Sequence, residues 1–588
     1  MASTGQAFDF KLFKRLLRHT KPYNHIFWFV AIAAIVMSGL GVLRPILLQY
    51  TIDDAFTPKD DELLVYYISL MGGVLLLEVL FQFAFIYFSN FLGYSVIRDI
   101  RVKLFDKILH FKMKYFDKSS VGRLTTRAVN DLETIASVFS EGLFMIASDL
   151  LKMIVIITVM LVTSWELSLL VFAMLPIILY ATRLFQKAMK VAFEDVRNQV
   201  ANLNSFVQER ITGMKIVHLF TRENKEYSNF EVINDKHKMG WMKTVWYNSI
   251  FFAVIEMLSS ITIGIVVWYG GLQALELEGM TLGIIVMFIE LVQMLFRPLR
   301  QIADKFNTLQ MGMVAANRVF SILDTEASIE NKGTQEFDDI KGQIKFENVY
   351  FSYDDEEMVI KGISLDVHPN QTVAIVGATG AGKSTIINLL SRFYEIKSGA
   401  IYVDGINIKD VSLSKLRKGI GVVLQDVFLF ADTIMNNITL NNPDVTEEEV
   451  IQAAKDIGVH QFIMSLPDGY NYNVKERGSM LSSGQRQLIA FLRAYVSNPG
   501  ILVLDEATSS VDSYSEQLIQ NATEKITHNR TSIVIAHRLA TIKKADVIIV
   551  MEAGEIVEMG NHKELLQIEN GHYRNLYEVQ FSKEKVLD

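Results

Sequence analysis

The chain of 588 residues contains no cysteine. That absence excludes disulfides, thiolate metal sites, iron–sulfur clusters and thiol nucleophiles, and leaves the redox compartment unreadable from cysteine usage. Charge is sparse as well: 21% of residues are Asp, Glu, Lys or Arg, against about 25% in soluble domains. Half of the residues are hydrophobic and mean hydropathy is +0.24, so part of the chain is expected in lipid. There is no excess of basic residues: 57 basic and 65 acidic side chains leave −8. A dedicated nucleic-acid binder rests on a basic footprint, so no nucleic-acid partner is expected. The high hydrophobicity excludes a disordered chain. At roughly 100–200 residues per domain, the length exceeds one globular unit.

Six stretches are long and apolar enough to span a bilayer, near 26–49, 63–89, 141–164, 166–185, 247–270 and 281–300; a spanning helix needs about 20 residues. The first has no charge from Ile26 to Leu43. It is too long for a signal-peptide core and lacks a small-residue cleavage site, so it is read as retained. Lys and Arg mark the cytoplasmic side of a span. Lys11, Lys14, Arg15, Arg18 and Lys21 precede the first span, and the long segments after the second and fourth are equally basic. The other three loops are short and poor in Lys and Arg. Both termini are therefore expected in the cytoplasm, with the long basic segments as helical extensions; much of Lys187 to Glu226 has amphipathic helical spacing.

After Arg318 the character changes. A polar linker leads into short β-branched runs (TVAIV, GVVLQ, ILVLD, SIVIA, VIIVM) alternating with helical patterns. These read as buried strands of an α/β domain. The fold expectation is multidomain: an N-terminal segment 1–22, an all-α six-helix transmembrane domain 23–318, a linker 319–340, and an α/β P-loop nucleotide-binding domain 341–588.

TVAIV is followed by Gly377, Ala378, Thr379, Gly380, Ala381, Gly382, Lys383, Ser384 and Thr385, then by a helical run. This is G-x-x-x-x-G-K-S between a strand and a helix. Its glycines let backbone N–H groups curl round phosphates, and the helix N-terminus favours anions. Lys383 would reach the β- and γ-phosphates and the Ser384 hydroxyl would bind Mg²⁺. ILVLDE ends a second strand with Asp505 and Glu506; Asp505 suits the metal side and Glu506 the attacking water. A chance glycine turn and a solvated strand end are the bland readings, and neither explains why both occur together.

LSSGQRQ, Leu481 to Gln487, resembles the signature of ATP-binding cassette (ABC) proteins, usually LSGGQ. Its order and spacing relative to GATGAGKS, ILVLDE and SSVD match, and the resemblance covers nearly the whole chain. Six helices ahead of one cassette resemble a half-transporter of the type IV exporter class, which includes lipid A flippases and bacterial multidrug exporters. The resemblance implies further roles. Tyr353 would stack on adenine. Gln425 would sense Mg²⁺ and the attacking water. His537 would contact the γ-phosphate, Asp512 would be the D-loop aspartate, and Glu476–Gly478 the X-loop. Taken alone, Tyr353 and His537 would be packed strand residues. Ser482 is a good N-cap for a helix running toward Pro499. With Ser483, Gly484 and Gln485 it would close over ATP held by a partner chain, so two cassettes would sandwich two ATPs. The first signature glycine is replaced by Ser483, which leaves homodimer and heterodimer both open.

The resemblance further implies coupling helices in the two long loops, near Phe116–Thr126 and Gly213–Thr221, with Phe428, Leu429 and Phe430 forming part of their groove. ATP-driven export of amphiphilic drugs or lipids across a prokaryotic plasma membrane is the expected function. An ATP-gated regulator, a translation or repair ATPase, and an importer are the competing readings, each disfavoured by the fused spans or the intact hydrolytic motifs.

Five charged residues, Glu78, Asp149, Lys152, Glu256 and Glu290, fall inside apolar stretches. Asp149 and Lys152, three apart, are expected to pair locally. Glu256 and Glu290 either line a transport cavity that favours cationic amphiphiles or hydrogen-bond to neighbouring helices. If they line the cavity, replacing both by Gln lowers export of cationic dyes from vesicles; unchanged dye export rejects that role.

Overall fold

A backbone in hydrocarbon has no water to bond, so its N–H and C=O groups are satisfied along a helix. The computed structural model describes residues 9–275, 280–326, 340–354, 356–505, 513–536 and 538–581, with isolated positions between 327 and 339. Among the described residues five helical stretches are long and apolar enough to cross a membrane: Lys21–Phe56, Asp61–Leu109, Val121–Thr163, Trp165–Thr212 and Glu223–Leu275. The sixth expected span lies in the helix that begins at Leu282.

The chain divides into two compact units. Residues 1–109 and 120–326 form the first; residues 110–119 and 327–588 form the second. The helices of the first half, in chain order, are α1 (Phe10–Arg18), α2 (Asn24–Tyr50), α3 (Asp61–Leu109), α4 (Met113–Asp117), α5 (Val121–Thr126), α6 (Leu132–Ser137), α7 (Phe144–Thr163), α8 (Trp165–Thr212), α9 (Met214–Leu219), α10 (Glu223–Leu275) and α11 (Leu282–Leu323). Of these, α4 belongs to the second unit. In the first unit α2 packs on α3, α7 and α11, and α8 packs on α10. At 1.5 Å per residue, the 49 residues of α3 and the 53 of α10 reach roughly 75–80 Å, far beyond a hydrocarbon core of about 30 Å. Side chains such as Trp28, Leu76, Phe83 and Trp268 point outward from this unit, as a lipid-facing surface requires.

Several polar contacts tie distant segments of this unit together. Asp53 accepts from the Thr281 hydroxyl at 2.5 Å and from the Gly283 N–H at 2.9 Å, joining the end of the first span to the start of α11. Asp131, a buried carboxylate, takes Arg127 at 2.7 Å and Arg318 of α11 at 3.6 Å. Asp149 pairs with Lys305 of α11 and not with Lys152, which corrects the local pair expected from their spacing. A partner on a neighbouring helix can approach the carboxylate end-on, whereas an i,i+3 partner must bend back along its own helix. Lys152 lies among the charges of Glu78, Arg44, Arg297 and Asp149. Gly41 makes room for it: a Cβ there would stand 3.1 Å from Lys152 Nζ and 3.4 Å from Glu78 Oε1.

In the second unit all five expected apolar runs are strands of one sheet. The strands are β1 (Ile344–Phe351), β2 (Ile360–Val367), β3 (Thr372–Gly377), β4 (Ser398–Val403), β5 (Ile406–Asn407), β6 (Ile420–Val423), β7 (Ile501–Asp505), β8 (Thr531–Ile535), β9 (Val547–Glu552) and β10 (Glu555–Gly560). The six-stranded sheet has order β10-β9-β3-β8-β7-β6 and is parallel except at β10. A parallel sheet is covered on both faces, and β7 and β8 are buried at every position. A second, antiparallel sheet, β2-β1-β4-β5, adds a layer that the apolar runs did not announce. Its strands alternate between buried and exposed residues, a weaker signal than a continuous apolar run.

Removing one partner of a buried ion pair costs about 3–5 kcal/mol, because the other charge is left uncompensated. Asp131→Ala therefore lowers the thermal unfolding midpoint of the detergent-solubilised chain by several degrees, and adding Arg127→Gln recovers part of the loss.

Candidate nucleotide-binding site

The site starts where β3 ends. Gly377 has φ +150°, and a Cβ there would fall 2.2 Å from the Met551 carbonyl oxygen of β9. Gly382 has φ +98° and caps the following helix, α12 (Lys383–Leu390). Between them Ala378, Thr379 and Gly380 are exposed while Ala381 is buried. The chain thus turns through conformations that L side chains rarely adopt, and it leaves the loop backbone accessible at a helix N-terminus. Thr385 is buried in the first turn of α12.

Lys383 is 8% exposed, and its ammonium donates to the Gly377 carbonyl at 2.8 Å and the Ala378 carbonyl at 2.9 Å. Burial lowers its pKa, with Asp505 opposing the shift. A phosphate would supply the counter-charge that two carbonyl dipoles only partly provide. Ser384 Oγ stands 3.3 Å from Asp505 Oδ2. Hydroxyl and carboxylate side by side are hard oxygen donors. Mg²⁺ commonly uses one or two carboxylates and completes its shell with waters and phosphate oxygens. Among the described residues no cluster of three or more His, Asp or Glu forms a self-sufficient metal cage. The pair therefore fits an ion that arrives with phosphates.

Tyr353, half-buried, lies just beyond β1. Its hydroxyl is 3.2 Å from Thr385 Oγ1 and accepts from Asn388 Nδ2 at 3.2 Å. Its ring meets Phe351 and Tyr394 edge-on, at 4.9 and 5.0 Å between centroids. Asn388 and Tyr394 were absent from the sequence-derived set. Asn388 is three residues beyond Thr385 in a helix whose start was expected, on the same face, so helical spacing from Thr385 could have found it. Tyr394 could not be found that way: its hydroxyl donates to Asp117 at 2.7 Å across 277 residues of chain. Burial, and then this bond, push the Tyr394 pKa up. Asp117 ends α4, within the second unit. The first expected coupling segment, Phe116–Thr126, thus spans the end of α4, a break, and α5; the second, Gly213–Thr221, contains α9.

The helix α13 (Ser483–Val496) starts with a capping box. Ser482 Oγ accepts from the Gln485 N–H at 3.2 Å, and Gln485 Oε1 accepts from the Ser482 N–H at 3.0 Å. Ser483 is exposed on the first turn, whereas Gly484 is buried. The helix ends at Val496, three residues before Pro499. Glu476–Gly478 form a tight turn in which Arg477 takes a left-handed conformation, φ +54°. Gln425 is exposed two residues beyond β6. Of the expected apolar groove, Phe428 and Phe430 are exposed and meet edge-on at 5.3 Å, but Leu429 is in the core. Leu429 cannot line a groove: alternation along this extended segment turns it inward. Glu506, Asp512 and His537 lie outside the described residues.

Two family descriptions match the chain: "ABC transporter transmembrane region" over residues 27–299 and "ABC transporter" over residues 360–509. An uncharacterized ABC transporter ATP-binding protein of Bacillus subtilis is 36% identical over 571 residues, covering 97% of this chain and 94% of that protein. An ATP-dependent lipid A-core flippase of Syntrophus aciditrophicus is 34% identical over 580 residues, covering 98% and 95%. A Staphylococcus aureus protein with the provisional name multidrug export ATP-binding/permease protein is 35% identical over 578 residues, covering 97% and 100%.

Base–aromatic stacking contributes about 1–3 kcal/mol. Tyr353→Ala is accordingly expected to weaken equilibrium binding of a fluorescent ATP analogue about tenfold, and Tyr353→Phe to retain most of it. Lys383→Ala abolishes hydrolysis even where binding survives.

Proposed function

The chain belongs to the ABC transporter family, and on that footing we propose that it exports or flips amphiphilic small molecules or lipids across a prokaryotic plasma membrane. It would act as one half of a dimer with both termini cytoplasmic. One observation carries the reading: a phosphate loop with Lys383, Ser384 and Asp505 converging on it shares its chain with five long apolar helices. The relatives named for lipid A and multidrug export support an amphiphilic cargo. So does the group Glu78, Lys152, Arg44 and Arg297 within the first unit, since charges at membrane depth face a cavity or a partner.

In this reading Gly377–Thr385 cradles the ATP phosphates and Tyr353 takes the adenine. Ser384, Asp505 and Gln425 would hold Mg²⁺, which neutralises phosphate charge. Glu506 polarises the attacking water, and His537 contacts the γ-phosphate. Ser482–Gln485 and Asp512 of each chain complete the site of the other. ATP contacts both halves of the closed pair and only one half of an open one, so it favours closure by differential binding. Closure is passed to the spanning helices through the segments around α4 and α9. Hydrolysis removes the contact and resets the cycle.

Purified into lipid nanodiscs, the chain is expected to hydrolyse ATP in a Mg²⁺-dependent way, and Glu506→Gln to reduce turnover by about 10²–10⁴-fold. Activity without any vesicle transport would indicate an ATP-gated regulator. A folded, inactive chain would indicate that Ser483 belongs to a heterodimer, tested by co-expression with a second half-transporter.

A further inference from the structure

The N-terminal helix α1 has two faces and one anchor. Asp9 caps it, accepting from the Lys11 and Leu12 N–H groups at 2.9 and 3.0 Å. At 100° per residue Lys11, Lys14 and Arg18 fall within an arc of about 60°, and all three are exposed. Leu12, Phe13, Leu16 and Leu17 lie on the opposite side, Leu16 fully buried. A single turn, Lys21–Tyr23, joins α1 to the first spanning helix. The helix is therefore held within a few residues of the bilayer edge. A short helix with a basic face and an apolar face at that depth is suited to lie in the headgroup layer.

Arg15 is the exception among the basic residues. Both of its terminal nitrogens reach Asp324 at 2.6 Å, a bidentate pair, and its guanidinium sits 4.2 Å above the Phe320 ring. His19 stacks on the same ring at 5.6 Å. Phe320 is in the last turn of α11 and Asp324 caps that helix, at the point where the spanning unit hands over to residues 327–588. Signalling of topology needs basic charge near the span, but it needs neither this clamp nor the segregation of the other three charges onto one face.

We propose that α1 is a binding site for anionic phospholipid of the cytoplasmic leaflet, read by Lys11, Lys14 and Arg18, and that the Arg15–Asp324 clamp couples its occupancy to the end of α11. Among the described residues Lys11, Lys14 and Arg18 form no ion pair, so their charge is available to headgroup phosphates. Each basic residue at an anionic surface contributes about fivefold in affinity, about a hundredfold for three. The consequence is that the anionic-lipid content of the membrane sets the rate of the ATP cycle. Only this rate effect rests on the exporter reading; the lipid site does not.

The test uses the full chain and phosphatidylglycerol as the probe. Native mass spectrometry counts phosphatidylglycerol retained per chain, and ATPase is measured in phosphatidylcholine nanodiscs with and without it. Lys11→Gln/Lys14→Gln/Arg18→Gln is expected to lose about a hundredfold in phosphatidylglycerol affinity, as salt does progressively for the wild type. Its ATPase in pure phosphatidylcholine stays at the wild-type level and no longer rises when phosphatidylglycerol is added. Asp324→Asn keeps the binding and loses the rate response. Equal retention by wild type and triple variant, or equal retention of phosphatidylcholine and phosphatidylglycerol, overturns the site. A rate response that survives in Asp324→Asn overturns the coupling. ATPase absent in every membrane would point to a missing partner half, and the rate response is then read on the co-expressed pair, while the retention measurement on this chain decides the lipid site.

Discussion

Everything in this chain follows from where its backbone N–H groups find acceptors. In the spanning unit they find them along the helix, because hydrocarbon offers nothing else. Hence the uninterrupted lengths of α3, α8 and α10, and hence the prolines at 45, 176 and 298 sit inside helices without ending them. At the phosphate loop the same constraint is met differently. Gly377 and Gly382 turn the chain out of both helix and sheet, a shape in which a loop can offer backbone N–H groups to an anion. One half of the molecule hides its backbone from the solvent; the other exposes a short piece of it to a ligand.

Side-chain charge is handled with the same economy. Asp131, Asp149 and Asp53 each take a partner from another element. All three reach α11 or the residue that caps it: Asp131 reaches Arg318, Asp149 reaches Lys305, and Asp53 reaches Thr281 and Gly283. With Arg15 on Asp324, α11 is gripped along its length by acidic and basic partners from four other segments. Lys383 shows the complementary case, a buried cation held by carbonyls, which in the proposed function meets the phosphates of ATP.

Much of this was legible in the sequence because its signals are local. Spans announce themselves by continuous hydrophobicity, the buried strands β3, β6, β7, β8 and β9 by short β-branched runs, and the loop by glycine spacing. The Ser482 cap was legible too, since a capping box needs only residues three apart. What was not legible depends on distant chain. The second sheet alternates in burial and lacks a continuous run. The Asp149 partner is Lys305, 156 residues away, and not Lys152 three residues away. Leu429 reads as one of three equivalent apolar residues, but only tertiary packing decides which of them is core.

The hydrogen bond between Asp117 and Tyr394 has a meaning for biosynthesis. Its partners are 277 residues apart, and residues 110–119 belong to a unit that otherwise begins at 327. At a synthesis rate of about 5–20 residues per second, α4 emerges roughly 14–55 s before the surface it rests on exists. During that interval Phe111 and Ser119, buried in the finished protein, have no cover from the later unit. Residues 327–588 thus complete a unit whose first piece is made early, and the order of translation leaves an interval in which α4 waits for the rest of its own unit.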